Sequence, residues 1–256
     1  MRLKCVLMAL AALAFSAAAM AQEEEDTYMF NHLSVGVNVG TPGYGFDVAV
    51  PVGKHFQLRA GFSTMPKIKA STDLDFNGVP STGTFNVPSS IKIEAKPGFS
   101  NAKILVDIYP FNSSNFHITG GAYWGSSEVV TAYNKEEGVL KDVADWNRAH
   151  PNQLIGLELG DYLLTPDAAG NVSACVKTAS FKPYLGIGFG RAVPRKNRLG
   201  FMFELGTQFW GTPKVYCNGT ELTPEGLDAD GGAIVKVLSK VKVYPVMNFR
   251  LCGRIL

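Results

Sequence analysis

Hydrolytic or group-transfer chemistry needs a nucleophile, a base and an orienting acid at one point, and the four histidines of this chain are where such a centre would be sought. His32 and His55 stand at the ends of segments in which apolar and polar residues alternate, His150 lies in a long polar stretch, and His117 falls inside an alternating segment. None has a serine and a carboxylate at a matching level. His117 is therefore expected to be an interior hydrogen-bonding residue. Asp142, Asp145 and His150 are close in sequence, but their spacing matches no established metal site. The run Gly186-Ile-Gly-Phe-Gly190 sits within a strand pattern with no helix after it, so it is no phosphate loop. No cofactor or metal is expected, and the chain reads as a non-enzyme, with lipid A modification as the residual enzymatic alternative.

Cysteine chemistry is the other candidate. Cys5 precedes an apolar run near the start, and Cys252 falls in the inward phase of a strand, where a buried free thiol is expected. Pairing Val193 with Leu199 across a hairpin and extending that register puts Cys175 opposite Cys217, which predicts a cross-strand disulfide.

The elements that would position these residues begin with an export signal. Arg2 and Lys4, the apolar run Val6 to Phe15 and the small-x-small site Ala19-Met20-Ala21 predict a signal peptide over 1–21. A periplasmic N-terminal segment, 22–31, and a barrel domain, 32–256, are expected to follow. Without Arg2 and Lys4 the chain carries 24 − 2 = 22 basic side chains against 22 acidic ones, so nothing in its net charge points to nucleic acid.

Eight segments of about ten residues alternate with the two-residue period of a strand. They run His32 to Gly40, Tyr44 to Val52, Phe56 to Ser63, Asn101 to Tyr109, Phe116 to Trp124, Tyr184 to Gly190, Phe201 to Phe209 and Met247 to Ile255. Connections after the second, fourth and sixth are short (Gly53-Lys54, Asn112 to Asn115, Arg195 to Arg198), whereas those after the third, fifth and seventh are long: 67–99, 128–180 and 213–240. That rhythm is the pattern of a membrane β-barrel, with turns at one end and loops at the other. Polarity agrees with it. Charged residues share one face with glycines, and the other face is almost purely Val, Ile, Leu and Phe, as lipid contact demands. Phe116 and Trp124 are roughly 26 Å apart along their strand, which suits two aromatic girdles.

In segments such as Lys182-Pro-Tyr-Leu-Gly-Ile-Gly-Phe-Gly-Arg191 and Leu199-Gly-Phe-Met-Phe-Glu-Leu-Gly206 the chain resembles the small eight-stranded outer-membrane barrels of Gram-negative bacteria, of the OmpA transmembrane-domain, OmpX and opacity-protein type. The resemblance implies an all-β, eight-stranded antiparallel up-and-down transmembrane barrel with long extracellular loops. It also implies the outer membrane as location, with outer-membrane lipid, lipopolysaccharide and the assembly machinery as partners. The chain ends Arg254-Ile255-Leu256, where these barrels usually finish on an aromatic residue.

Eight strands leave a lumen that side chains fill. The inward phase holds Asp47, Arg59, Lys103, Asp107, Glu204, Arg250 and Arg254, a charge network expected to pair almost completely, with Asp47 and Arg59 diagonal across one hairpin. Among the loops, Glu136 to Ala149 is expected to form a short amphipathic helix, and Asp161 to Thr178 and the Asn218-Gly219 turn to form projecting hairpins. These features predict a largely plugged barrel serving envelope structure, adhesion or recognition of an extracellular partner through its loops. A narrow, porin-like channel or small-molecule transporter is the alternative.

Overall fold

The computed structural model describes residues 30–75, 90–159, 162–195, 197–222 and 242–255. The expected signal peptide lies outside them. Eight strands close into a barrel: β1 (Ser34–Gly40), β2 (Gly43–Pro51), β3 (Phe56–Thr64), β6 (Ser100–Ile108), β7 (Phe116–Gly125), β12 (Phe181–Phe189), β13 (Leu199–Phe209) and β16 (Val243–Arg254). Each pairs antiparallel with its neighbours, and β1 closes on β16 from Ser34 opposite Arg254 to Gly40 opposite Asn248. Closure matters because an open edge cannot satisfy its backbone groups in hydrocarbon. Pro51 faces Gln57 in the β2–β3 hairpin, and Tyr184 faces Gln208 between β12 and β13, in the same register as a Val193–Leu199 pairing, although the ladder itself ends at Phe189 opposite Phe203.

Alternation then sorts the side chains. Val37, Val39, Phe46, Leu185, Ile187 and Phe201 point outward and are each more than half exposed. One aligned row, Phe46, Phe62, Ala102, Trp124 and Phe181, crosses five strands near the loop end, while Phe116 and Phe189 pack edge to face near the turn end. An apolar belt of this extent is unfavourable in water, at roughly 25 cal/mol per Å² of exposed apolar surface. No described helix is long and apolar enough to cross a membrane.

The long connections are not separate hairpins. They join into a six-stranded sheet that continues past the loop end, in the order β15 (Thr220–Leu222), β14 (Lys214–Cys217), β11 (Ser173–Lys177), β8 (Glu128–Asn134), β5 (Ser90–Pro97) and β4 (Ala70–Asp75). We call this the platform. Helix α1 (Lys141–Ala149) covers the second part of the expected segment Glu136 to Ala149, whose first residues form a turn, and it buries Val143 and Ala144. With Leu140, Ile91, Ile93, Ile155, Leu164, Val172 and Cys217 it builds an apolar core of the platform's own.

Two loop expectations need correction. The turn at 166–171 forms, with Asp167 Oδ1 accepting from the amides of Ala169 and Asn171 at 2.9 Å each. The arms it joins, however, pair elsewhere: β10 (Tyr162–Leu164) with β9 (Leu157–Leu159), and β11 with β8 and β14, so Asp161 to Thr178 is no hairpin. The Asn218-Gly219 turn does close β14 onto β15, with both residues at positive φ (45° and 85°), as a tight hairpin turn requires. The second correction concerns Cys175 and Cys217, which are free thiols. In the platform, Cys217 faces Ala174 and Cys175 faces Tyr216, one residue out from the barrel's register. A one-residue slip sends the two side chains to opposite faces of the sheet: Cys217 joins the apolar core and Cys175 points away from it.

Candidate functional site

Down the axis of the barrel the inward side chains are layered. At the loop end Trp210 stacks on Tyr244, with ring centroids 4.4 Å apart, and Phe99 stands 5.3 Å from Trp210. Beneath this box Lys182, fully buried, donates to Asn101 Oδ1 (3.1 Å) and the Ser126 carbonyl (2.9 Å). Next come Leu105, Tyr123, Tyr184 and Val246, a compact apolar and aromatic layer.

The charges occupy the middle. Arg59 Nη2 donates to Asp107 Oδ1 (2.7 Å) and to Glu204 Oε2, and Thr119 Oγ1 donates to Asp107 Oδ1 at 2.7 Å. Tyr184 Oη donates to Glu204 Oε1 at 2.6 Å. On the other side Asp47 accepts from Arg250 Nε (2.6 Å), Lys103 Nζ (3.1 Å) and Asn38 Nδ2 (3.3 Å). All six charged groups are at most 2% exposed, so each depends on its partner for the solvation that water would otherwise supply. Asp107, His117 and Glu204 stand close enough to hold a metal ion, but the Arg59 guanidinium occupies the position between the carboxylates and already supplies the positive charge.

The connection after β12 completes the stack. The short polar turn expected here covers Arg195 to Arg198; ahead of it, residues 191–194 fold inward and are buried. The Val193 amide donates to Gln57 Oε1 (3.0 Å), and the Val193 carbonyl accepts from Gln57 Nε2 (3.3 Å). The Ala192 amide donates to Tyr109 Oη (3.2 Å), and the Ala192 carbonyl accepts from Arg250 Nη1 (2.9 Å). Ala49, Ala192, Val193 and Met202 pack together. This stopper sits in the turn-end mouth.

Most of the expected network is brought together, with two corrections. Asp47 and Arg59 do not bond, because Arg250 and Lys103 reach Asp47 first while Arg59 spans to Asp107 and Glu204. Arg254 is in the inward phase but lies at the mouth, where Nη1 donates to the Pro194 and Arg195 carbonyls at 3.2 and 3.0 Å. Lys182 takes its place as the fourth lumen cation; Pro183 had hidden it, since a residue without an N–H argues against a strand there. His117 does have a carboxylate at its level, with Nε2 3.7 Å from Glu204 Oε2. The other neighbours of His117 are the Asn115 carbonyl and the Tyr109 ring, and the site is enclosed by the layers above and below. Asp145 is held by Lys141 and Arg148, and His150 stacks on Trp146. Cys252 is buried and free, as its phase predicted.

Beyond the bilayer belt, the platform face turned away from its core carries two Tyr–Glu–Lys sets. Glu94 accepts from Tyr133 and pairs with Lys69, and Glu221 accepts from Tyr216 and pairs with Lys214. The hydrogen-bonded Lys69 ammonium holds the Glu94 carboxyl below the usual carboxylate range, and Lys214 does the same for Glu221. Lys96 and Lys177 lie over the Tyr133 and Tyr216 rings.

Close packing of the lumen carries a testable consequence. A Cβ added at Gly36 would stand 2.5 Å from the Arg250 guanidinium carbon, whereas one at Gly120 would meet nothing within 4 Å. Gly36→Ala is expected to cost about 1–3 kcal/mol, the range for overpacking, and Gly120→Ala to be near neutral. Urea midpoints of the two variants, read from the gel mobility of the folded form, check this.

A closed antiparallel barrel with a charged, glycine-rich interior and an apolar exterior defines a class: the eight-stranded transmembrane β-barrel. Among solved structures this chain is similar to CarO2 of Acinetobacter baumannii, at 17% identity and a TM-score of 0.48 over 89% of this chain and 100% of that one, and to CarO of the same organism, at 16% identity and a TM-score of 0.46 over 90% and 99%. No family model matches the chain, and no match is found among curated proteins. The class rests on the barrel's own topology and polarity.

Proposed function

We propose that the chain is an exported, integral outer-membrane protein of a Gram-negative envelope, whose barrel is a sealed anchor and whose work is done by the platform beyond the bilayer. The observation that carries this reading is the unbroken stack across the lumen: the Phe99–Trp210–Tyr244 box, the tyrosine layer, the paired charges and the stopper. A barrel plugged at four levels contributes position and stability rather than passage. The platform has its own core and an ordered polar face, which supports recognition of a surface partner or envelope support as its task. No catalytic role is assigned. Lipid A modification would require lipid profiles that change with the protein, and identical mass spectra with and without it are expected.

One observation favours a second reading. Arg59 Nε and Nη1, Asp107 Oδ2 and Arg250 Nη2 are buried without a protein partner, a polar capacity that suits water and a narrow permeation path. Single-channel recording of the refolded protein in a planar bilayer separates the two. A silent bilayer is expected, for the protein and for Arg250→Ala alike; reproducible steps that change in Arg250→Ala would replace the sealed anchor with a channel.

A further inference from the structure

Between the aromatic box and the tyrosine layer the lumen holds one charge that its neighbours leave uncompensated. In the middle layer Arg59, Lys103 and Arg250 stand against Asp47, Asp107 and Glu204, three cations to three carboxylates. Lys182 is the fourth cation, 0% exposed, and the layer of Leu105, Tyr123, Tyr184 and Val246 separates it from that network. Its ammonium donates to Asn101 Oδ1 and to the Ser126 carbonyl, both neutral, and among the described residues no carboxylate pairs with it. A buried ion without a counter-charge is strongly unfavourable. The polar groups around it are spare donors. An ammonium has three N–H bonds, of which two are used. Because an ammonium and an indole N–H can only donate, the Asn101 oxygen is fixed toward Lys182 and the Gln208 oxygen toward Trp210 Nε1 (3.1 Å). Both amide nitrogens, and the hydroxyl of Ser63 opposite Asn101 in the β3–β6 ladder, are buried with no hydrogen-bond partner. Phe99 ties these groups to one level, its ring 5.4 Å from Lys182 Nζ and 5.3 Å from the Trp210 ring.

We propose that this level of the lumen is a binding site for one small inorganic monoanion of the halide type, held by Lys182, Asn101, Gln208 and Ser63. Valence follows from the count of charges: one cation is in excess, so one negative charge completes the interior. Size follows from enclosure, since all four residues are at most 2% exposed and lie between the aromatic box and the tyrosine layer. The donor set separates an anion from water. Two of the three unpartnered groups are amide N–H donors and the third is a hydroxyl, so an anion accepts from every one of them, whereas a water molecule must also place its own two protons. The inference needs only the enclosure of Lys182 and holds whatever task the platform performs.

Crystals of the refolded protein grown with sodium bromide test the site, bromide being the probe because its anomalous scattering locates it. A bromide in contact with Lys182 Nζ is expected. In parallel, urea midpoints are measured in lipid vesicles at fixed ionic strength while chloride replaces gluconate, an anion too large for so enclosed a space. Above the dissociation constant, each tenfold rise in chloride is expected to shift the folding equilibrium about tenfold toward the folded barrel. Lys182→Met, which removes the charge and keeps an unbranched side chain, should abolish that dependence, with folding checked by gel mobility. Should Lys182→Met fail to fold, the bromide position in the unaltered protein decides alone. Bromide found only elsewhere on the molecule, or nowhere, overturns the site. So does a midpoint indifferent to chloride in the unaltered protein, or a chloride dependence that survives intact in Lys182→Met.

Discussion

Arg59→Ala is expected to lower the stability of the folded barrel by about 3–5 kcal/mol, the cost of leaving buried partners of an ion pair without their counter-charge. Arg59 is fully buried and is shared by Asp107 and Glu204, themselves at most 1% exposed. Alanine would strand both carboxylates against Thr119 and Tyr184, whose hydroxyls orient a charge without cancelling it. A companion variant, Arg59→Met with Asp107→Asn and Glu204→Gln, removes the charges together and should recover most of the loss, since absent charges need no counter-charge. Urea unfolding in lipid vesicles, followed by gel mobility, measures both. A loss below about 1 kcal/mol for Arg59→Ala, the range of solvated surface pairs, would mean that water reaches the network and that the lumen is not sealed.

Leu140→Ala should be comparably severe but elsewhere. Leu140 is fully buried at the start of α1, in contact with the platform core, and truncation at such a site costs about 2–5 kcal/mol. Because that core shares no residue with the lumen clusters, the loss is expected to loosen the platform alone. Limited proteolysis should then cut within 128–180 while the barrel keeps its folded mobility and its urea midpoint. Simultaneous loss of both would show one cooperative unit in place of two.

The barrel was legible in the sequence because a two-sided strand writes itself as a period of two, and lipid outside with charge inside makes the two phases chemically distinct. Val35, Val37 and Val39 against Asn38, or Ile104 and Val106 against Lys103 and Asp107, can be sorted by eye. Turn chemistry at Gly53-Lys54 and Asn218-Gly219 then sets registers that the structure keeps. The charges were found for the same reason, but their partners were not. Phase says that Asp47 and Arg59 both point inward; it does not say that Arg250, from the far end of the chain, reaches Asp47 before Arg59 does. The platform was harder still. Its strands pair between loops more than thirty residues apart, and around Gly211 and Pro213 the inward phase changes, from Glu204 and Gln208 in β13 to Val215 and Cys217 in β14. That change undid the disulfide register. The stopper left only a faint mark, the apolar pair Ala192-Val193 just ahead of the polar turn at Arg195 to Arg198.

The partners of that stopper come from the whole length of the chain: Gln57 from β3, Tyr109 just after β6, and Arg250 and Arg254 from β16. The last of these bonds can form only once the final strand is in place. The inserted segment ties β3, β6 and β16 together at the turn end. A barrel lacking its last strand would lose half of these bonds, so the wall and the inserted segment are completed by the same residues.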